Sequence, residues 1–242
     1  ISWLYYADRI VQLPLGVIGI ALGTALLPRL SAQFRADDLA PVRQTLADAM
    51  TFASFFVLPA SVALVMIGPD IITGLFRYGA FSMADAQASG VALAAYAIGL
   101  PGHFLVKILQ PAFYADHRPG LVLGVSVAMV ATNIILSLSL MPHFGHVGLA
   151  LATSISGLLA AVALMAAALR AGYVGALPGA ILVRILACCG MMAAALAGTD
   201  LVMPMVSGVL RMAVLVGARR ATRLLHPAIE ARILMKCSCF VK

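Results

Sequence analysis

The tract YYADRIVQ holds the residues best suited to chemistry. Arg9 stands at the edge of an uncharged run, Ile10 to Leu27, long enough to cross a hydrocarbon layer of ~30 Å at ~1.5 Å per residue. A charge attached to such a run must face protein or water. A guanidinium keeps its charge when desolvated and offers a planar N–H fork matched to phosphate oxygens. In a membrane cavity Arg9 would therefore hold an anionic lipid headgroup. The plainer alternative is an arginine reaching up to the interface, or paired with an acid elsewhere. Tyr5 and Gln12 share its helix face, whereas Asp8 points about 100° away and suits packing.

Three further groups invite weighing. Lys107 lies deep in GLPGHFLVKILQPAFY, with His103 one turn earlier on the same face; it either meets a substrate or snorkels to a nearby interface. Asn133 and Ser137, four residues apart, can meet Thr153 of the next helix. Their oxygens suit a small cation such as Na⁺, and interhelical hydrogen bonds explain them equally well. His143 and His146 sit in a turn without an acid or cysteine partner, a poor zinc site. The cysteines Cys188, Cys189, Cys237 and Cys239 lack metal spacing and read as ordinary thiols. Catalytic motifs are missing: no G-x-S-x-G, P-loop, H-E-x-x-H or usefully spaced acid pair. The chain does not read as an enzyme.

The elements that carry these residues are membrane helices. Hydrophobic residues make up 63% of the 242 and charged ones 10%, against about 25% charged in soluble domains. The class is all-α, a polytopic helical membrane protein with six to seven spans. The ~10-residue alternating segments of a transmembrane barrel do not appear. Helices are predicted over about 2–30, 49–67, 86–112, 121–141, 147–169 and 180–197. A weaker one over 201–218 is interrupted by Pro204 and Arg211. Pro14 and Pro28 are expected as kink and exit of the first helix, and 29–48 as a polar loop. Gly16, Gly19 and Gly23 form a small-residue strip suited to close helix packing.

The net charge of +7 is scattered singly through short loops rather than gathered into a nucleic-acid patch; the anionic inner leaflet is the fitting partner. Arg29, Arg35, Arg43, Arg118, Arg170 and Arg184 fall on one side of the alternating helices, together with the run Arg219, Arg220 and Arg223. Only Arg77 and Arg211 fall on the other. The first helix then runs from outside to inside and the C-terminus is cytoplasmic. The chain opens with Ile and no basic leader, so it is expected to be a piece preceded by more protein.

At this point the sequence resembles a known family. YYADRIVQLPLGVIGIALGTALLPRLS is similar to the signature helix of the MviN/MurJ lipid II flippases, within the multidrug/oligosaccharidyl-lipid/polysaccharide exporter superfamily. LFRYGAFS, GLPGHFLVKILQPAFYA and PHFGHVGLALATSISGLL resemble later family segments in order. The resemblance implies two six-helix lobes around a V-shaped cavity, followed by two accessory helices. Residues 1–170 would then be second-lobe helices eight to twelve, 171–218 an accessory pair with its last member incomplete, and 219–242 a basic tail unlike the family.

The implied activity is flipping a polyprenyl-diphosphate-linked peptidoglycan precursor across the bacterial inner membrane, with a missing N-terminal lobe as partner. Arg9 matches a cavity arginine that binds pyrophosphate, and Tyr5, Gln12 and Lys107 are the accompanying candidates. Gln12 stands where many relatives carry Glu. Asn133, Leu149 and Thr153 match positions of a cation site in some members, and Ser137 falls where an acid or Asn is common. Coupling to Na⁺ or to membrane potential is left open. The rivals are an exporter of another polyprenyl-linked glycan and a non-functional truncated fragment.

Overall fold

The computed structural model describes residues 2–36, 39–76, 82–175, 189–190 and 193–194. The predicted spans over 180–197 and 201–218, with the tail, lie outside or almost outside them. Five long helices follow one another: α1 (Ser2–Arg35), α2 (Leu39–Phe76), α3 (Met83–Ala115), α4 (Pro119–Phe144) and α5 (His146–Arg170). α2 to α5 are each long and apolar enough to cross a membrane, and α1 carries the uncharged run Ile10–Leu27. The fold is the all-α membrane bundle expected.

The helix ends correct the sequence reading. The stretch 29–48 is not a loop: α1 continues through Pro28 to Arg35 and α2 starts at Leu39. Its polar composition hides an apolar face, since Leu30, Val42 and Leu46 are fully buried. The Gln33 Nε2 also donates to the Thr45 Oγ1 at 2.9 Å, tying the two helices together beyond the apolar runs. Pro28 is exposed within α1 and does not end the helix. Likewise α2 runs past 67 to Phe76, interrupted only at Ile67, whose φ of −113° and ψ of 16° leave helical space just before Pro69.

α3 is the hub, packed against α1, α2 and α5, while α4 rests on α5 with little else. Pro101 explains one of its contacts. Proline has no N–H to give the Ala97 carbonyl four residues back, and the Ser61 hydroxyl of α2 donates to that carbonyl instead. From the other side the Ser154 Oγ of α5 donates to the Ala95 carbonyl at 2.6 Å. Closest approach is at the α3–α5 crossing. A Cβ on Gly99 would stand 2.5 Å from the Ser154 Cα, and one on Gly102 2.9 Å from the Leu158 Cα. This is the small-residue packing that membrane helices use in place of a hydrophobic drive. Gly145 alone separates α4 from α5, at φ 54° and ψ −130°, a region that side chains forbid.

Trp3 sets the register. Its Nε1 donates to the Asp85 Oδ1 at 2.8 Å, so the starts of α1 and α3 lie level and the two helices run parallel. The same indole meets the His146 ring edge-on at 5.0 Å, bringing the start of α5 to that end. The opposite end collects Arg35, Arg43, Arg118 and Arg170 by connectivity. There Tyr173 is 3% exposed, its ring set against Phe34 and Phe113 at 5.2 and 5.5 Å.

Candidate functional site

α1 buries Ala7, Ile10 and Val11 against the bundle and leaves the opposite face open. That open face carries Tyr5, Arg9 and Gln12, as their spacing predicts, all three exposed. The Arg9 guanidinium carbon lies 4.9 Å from the Tyr5 ring centroid. That places the cation over the ring. Among the described residues Arg9 makes no ion pair. Its neighbour Asp8 is engaged instead by Gln12, whose Nε2 donates to the Asp8 Oδ2. A cation with its fork unspent, and the adjacent carboxylate held aside, can accept a diphosphate bidentately.

The Gly16, Gly19 and Gly23 strip continues from this spot, and a Cβ on any of them would meet nothing within 4 Å. Gly19 is buried nevertheless; the closely packed glycine seam is the one on α3 and α5.

Lys107 is exposed on α3 and is not gathered beside Arg9. With Trp3 level with Asp85, Arg9 lies six residues into the bundle and Lys107 twenty-two, a separation of about 24 Å along the axis. His103 is half-buried, its ring over Gly157 of α5, with the Cε1 2.6 Å from where a Cβ would stand.

The Asn133 group does converge. The Asn133 Nδ2 donates to the Thr153 Oγ1 at 3.1 Å and to the Ser156 Oγ at 3.2 Å, and the Ser137 Oγ donates to the Asn133 Oδ1 at 3.4 Å. Thr153 in turn donates to the Leu149 carbonyl at 3.0 Å. Asn133, Ser137, Leu149 and Thr153 thus meet, and Ser156 joins them, a residue the sequence reading missed although it lies three beyond Thr153. The oxygens are spent on one another and no carboxylate is among them. As arranged, the group pins α4 to α5 and does not fit a cation without turning the Asn133 amide away from both hydroxyls. His146 is likewise occupied, its Nε2 donating to the Ala88 carbonyl at 3.2 Å.

The Tyr173 clasp also escaped the sequence reading, because a lone aromatic in a glycine-flanked loop carries no pattern. Its hydroxyl donates to the Asp116 Oδ2; Asp116 pairs with the Arg118 Nε at 2.7 Å. Burial first, then the bond to Asp116 and its negative charge, pushes the Tyr173 phenol up to about 12. Beside it the Arg43 Nε donates to the Gly172 carbonyl at 2.6 Å.

The sequence model of the lipid II flippase MurJ family matches residues 1–216. The chain belongs to that family. A probable lipid II flippase MurJ of Rhizobium tropici is 39% identical over 173 residues, 72% of this chain and 32% of that protein. The lipid II flippase MurJ of Burkholderia cenocepacia is 30% identical over 179 residues, 74% of this chain and 35% of its own. Among solved structures, a lipid II flippase MurJ in an inward closed conformation superposes with a TM-score of 0.80 at 24% identity, over 97% of this chain and 48% of that one. The chain spans about a third of the length of these curated relatives and about half of that structure. The likeness in fold covers the bundle that presents Arg9.

Proposed function

We propose that this chain is the second-lobe part of a transporter that flips lipid-linked peptidoglycan precursor across the bacterial inner membrane by alternating access. The observation that carries the reading is the unspent Arg9 fork, exposed beside a span that must otherwise avoid charge. Arg9 takes two oxygens of the lipid's diphosphate, Tyr5 fixes the plane of the guanidinium, and Gln12 keeps the Asp8 carboxylate from competing with the anion. Residues 1–170 form the second-lobe wall, 171–218 an accessory helix pair, and 219–242 a basic cytoplasmic tail. The Gly16, Gly19 and Gly23 strip, with free space at each missing Cβ, receives a first-lobe helix, which the relatives' greater length supplies room for. The basic ends of the bundle face the cytoplasm. The lipid crosses intact, so no bond is broken and no catalytic group is needed. Coupling is assigned to charge moving in the membrane potential, since the Asn133 group is consumed by its own hydrogen bonds.

The test is a chimaera in which residues 1–216 replace the matching segment of a relative, expressed in cells depleted of their own flippase. Rescue is expected, with Arg9→Ala lowering it at least about tenfold at equal membrane abundance, as loss of a charge-assisted bond implies. Full rescue by Arg9→Ala would overturn the reading.

A further inference from the structure

Which charge α1 shows to its open side depends on how the helix is turned. The run Ile10–Leu27 is uncharged all round, and lipid tails are as apolar as the bundle, so greasy packing alone fixes the turn of such a helix weakly. Successive residues stand about 100° apart. A turn of α1 by that angle would carry Arg9 into the bundle and set Asp8 in its direction, putting a carboxylate in place of the cation. Trp3 opposes the turn. At helical spacing it falls within the buried arc of Ala7, Ile10 and Val11, opposite Gln12 and about 120° from Arg9. Its indole is held from two other helices: the Nε1 donates to the Asp85 Oδ1 of α3 at 2.8 Å, and the ring stands edge-on to His146 of α5. His146 is itself tied to α3, through the Ala88 carbonyl at 3.2 Å. The Asp85 carboxylate is aimed in turn. Its Oδ2 accepts from the Ser82 N–H at 3.0 Å and from the Ser82 Oγ at 2.6 Å, which leaves Oδ1 for the indole. Another polar tie of α1, Gln33 to Thr45, lies twenty-four residues from Arg9, beyond Pro14, Pro28 and the three glycines.

We propose that Asp85 is a positioning residue for anion binding: through Trp3 it fixes the turn and height of α1 that present Arg9 to the diphosphate of a polyprenyl lipid. The proposal rests on the transport reading above. Asp85 acts from a distance, since Arg9 lies six residues beyond Trp3, about 9 Å further along the axis. A guanidinium fork binds two oxygens only when its plane is aimed at them, so a misturned helix loses affinity although every group is still present.

The experiment uses the 242-residue chain in phosphatidylcholine nanodiscs, titrated with undecaprenyl diphosphate and followed by native mass spectrometry. Asp85→Ala is expected to weaken binding about fivefold. Trp3→Phe keeps a ring beside His146 but has no N–H, and is expected to show the same loss; it carries the comparison should Asp85→Ala fail to fold. Asp85→Asn retains an oxygen for the indole and is expected to bind within about twofold of the unaltered chain. Arg9→Gln causes its own loss, and adding Asp85→Ala to it is expected to cost nothing more, because no fork is left to aim. Tyr173→Phe removes a bond at the opposite end of the bundle and is expected to leave binding unchanged. Losses from Asp85→Ala and Arg9→Gln that simply multiply, or an equal loss from Tyr173→Phe, would make Asp85 a general brace; either overturns the positioning role and leaves the transport reading standing. Binding lost with Arg9→Gln but unchanged by Asp85→Ala and Trp3→Phe does the same. Binding indifferent to Arg9→Gln, or none by the unaltered chain, overturns the transport reading and the positioning role with it.

Discussion

α3 and α4 both leave a long face uncovered, and the two faces could hardly differ more. On α4 only Val122 is buried, and the open surface is Leu123, Val127, Val130, Ile134, Leu138 and Met141, with Leu138 70% exposed. On α3 the stripe Tyr96, His103, Lys107, Gln110 and Tyr114, exposed or half-buried and seven, four, three and four residues apart, is polar. Exposure is the same word for both, and the environments are opposite. Hydrocarbon cannot hydrogen-bond, so an apolar open face marks a boundary with lipid, and a polar one marks water or a partner. In a membrane bundle the residue type on an uncovered face tells which medium lies beyond it, and burial alone does not.

The sharpest way to break this contrast is to place one charge on each face. Val130→Arg, near the middle of α4, is expected to cost about 3 kcal/mol of insertion. Gln110→Arg on the polar face of α3 should cost under about 1 kcal/mol, the value expected of a position beside water. Membrane-integrated yield of the two variants measures the difference; equal losses would mean that both faces meet lipid.

A second, smaller contrast concerns glycine. Gly99→Ala puts a methyl group into the backbone of α5 at Ser154, and overpacking of that kind costs about 1–3 kcal/mol. Gly124→Ala on the open face of α4 meets nothing and is expected to be neutral or stabilising by up to about 1 kcal/mol through helix propensity. Thermal unfolding in detergent ranks the pair.

The smallest effect lies at the Tyr173 clasp. Tyr173→Phe removes the bond to Asp116 and should cost about 1 kcal/mol. Because the phenol is pushed up to about 12, it stays protonated in the folded chain while an unfolded tyrosine ionises near ~10. The stability it lends is whole below that lower value and falls as pH rises toward the higher one. In a pH titration of tyrosinate absorbance, Tyr173→Phe should remove one late-ionising phenol.

The parts legible in the sequence were those set by composition over long windows. Uncharged runs announced the helices, and Arg9 announced itself by being costly where it stood. The ends were misread because 29–48 looks polar until Leu30, Val42 and Leu46 are seen to share a buried side. The glycine strip on α1 and the glycines of α3 look alike as letters; only the approach of Ser154 and Leu158 shows which set is in close contact. The Asn133 group was legible because four-residue spacing across a tight turn leaves few alternatives. Tyr173 was not, since its partners Phe34, Phe113 and Asp116 come from distant points of the chain. The α3 stripe lay in plain view as a repeat of polar letters. It gained meaning only when its neighbours proved to be inside.

Trp3 is the chain's single tryptophan, and it sits where the beginnings of α1, α3 and α5 come together. Nature has thereby installed a fluorophore at the one junction whose separation would register rocking of these segments. Its emission, quenched or freed as the imidazole beside it moves, can follow that motion in an unlabelled protein.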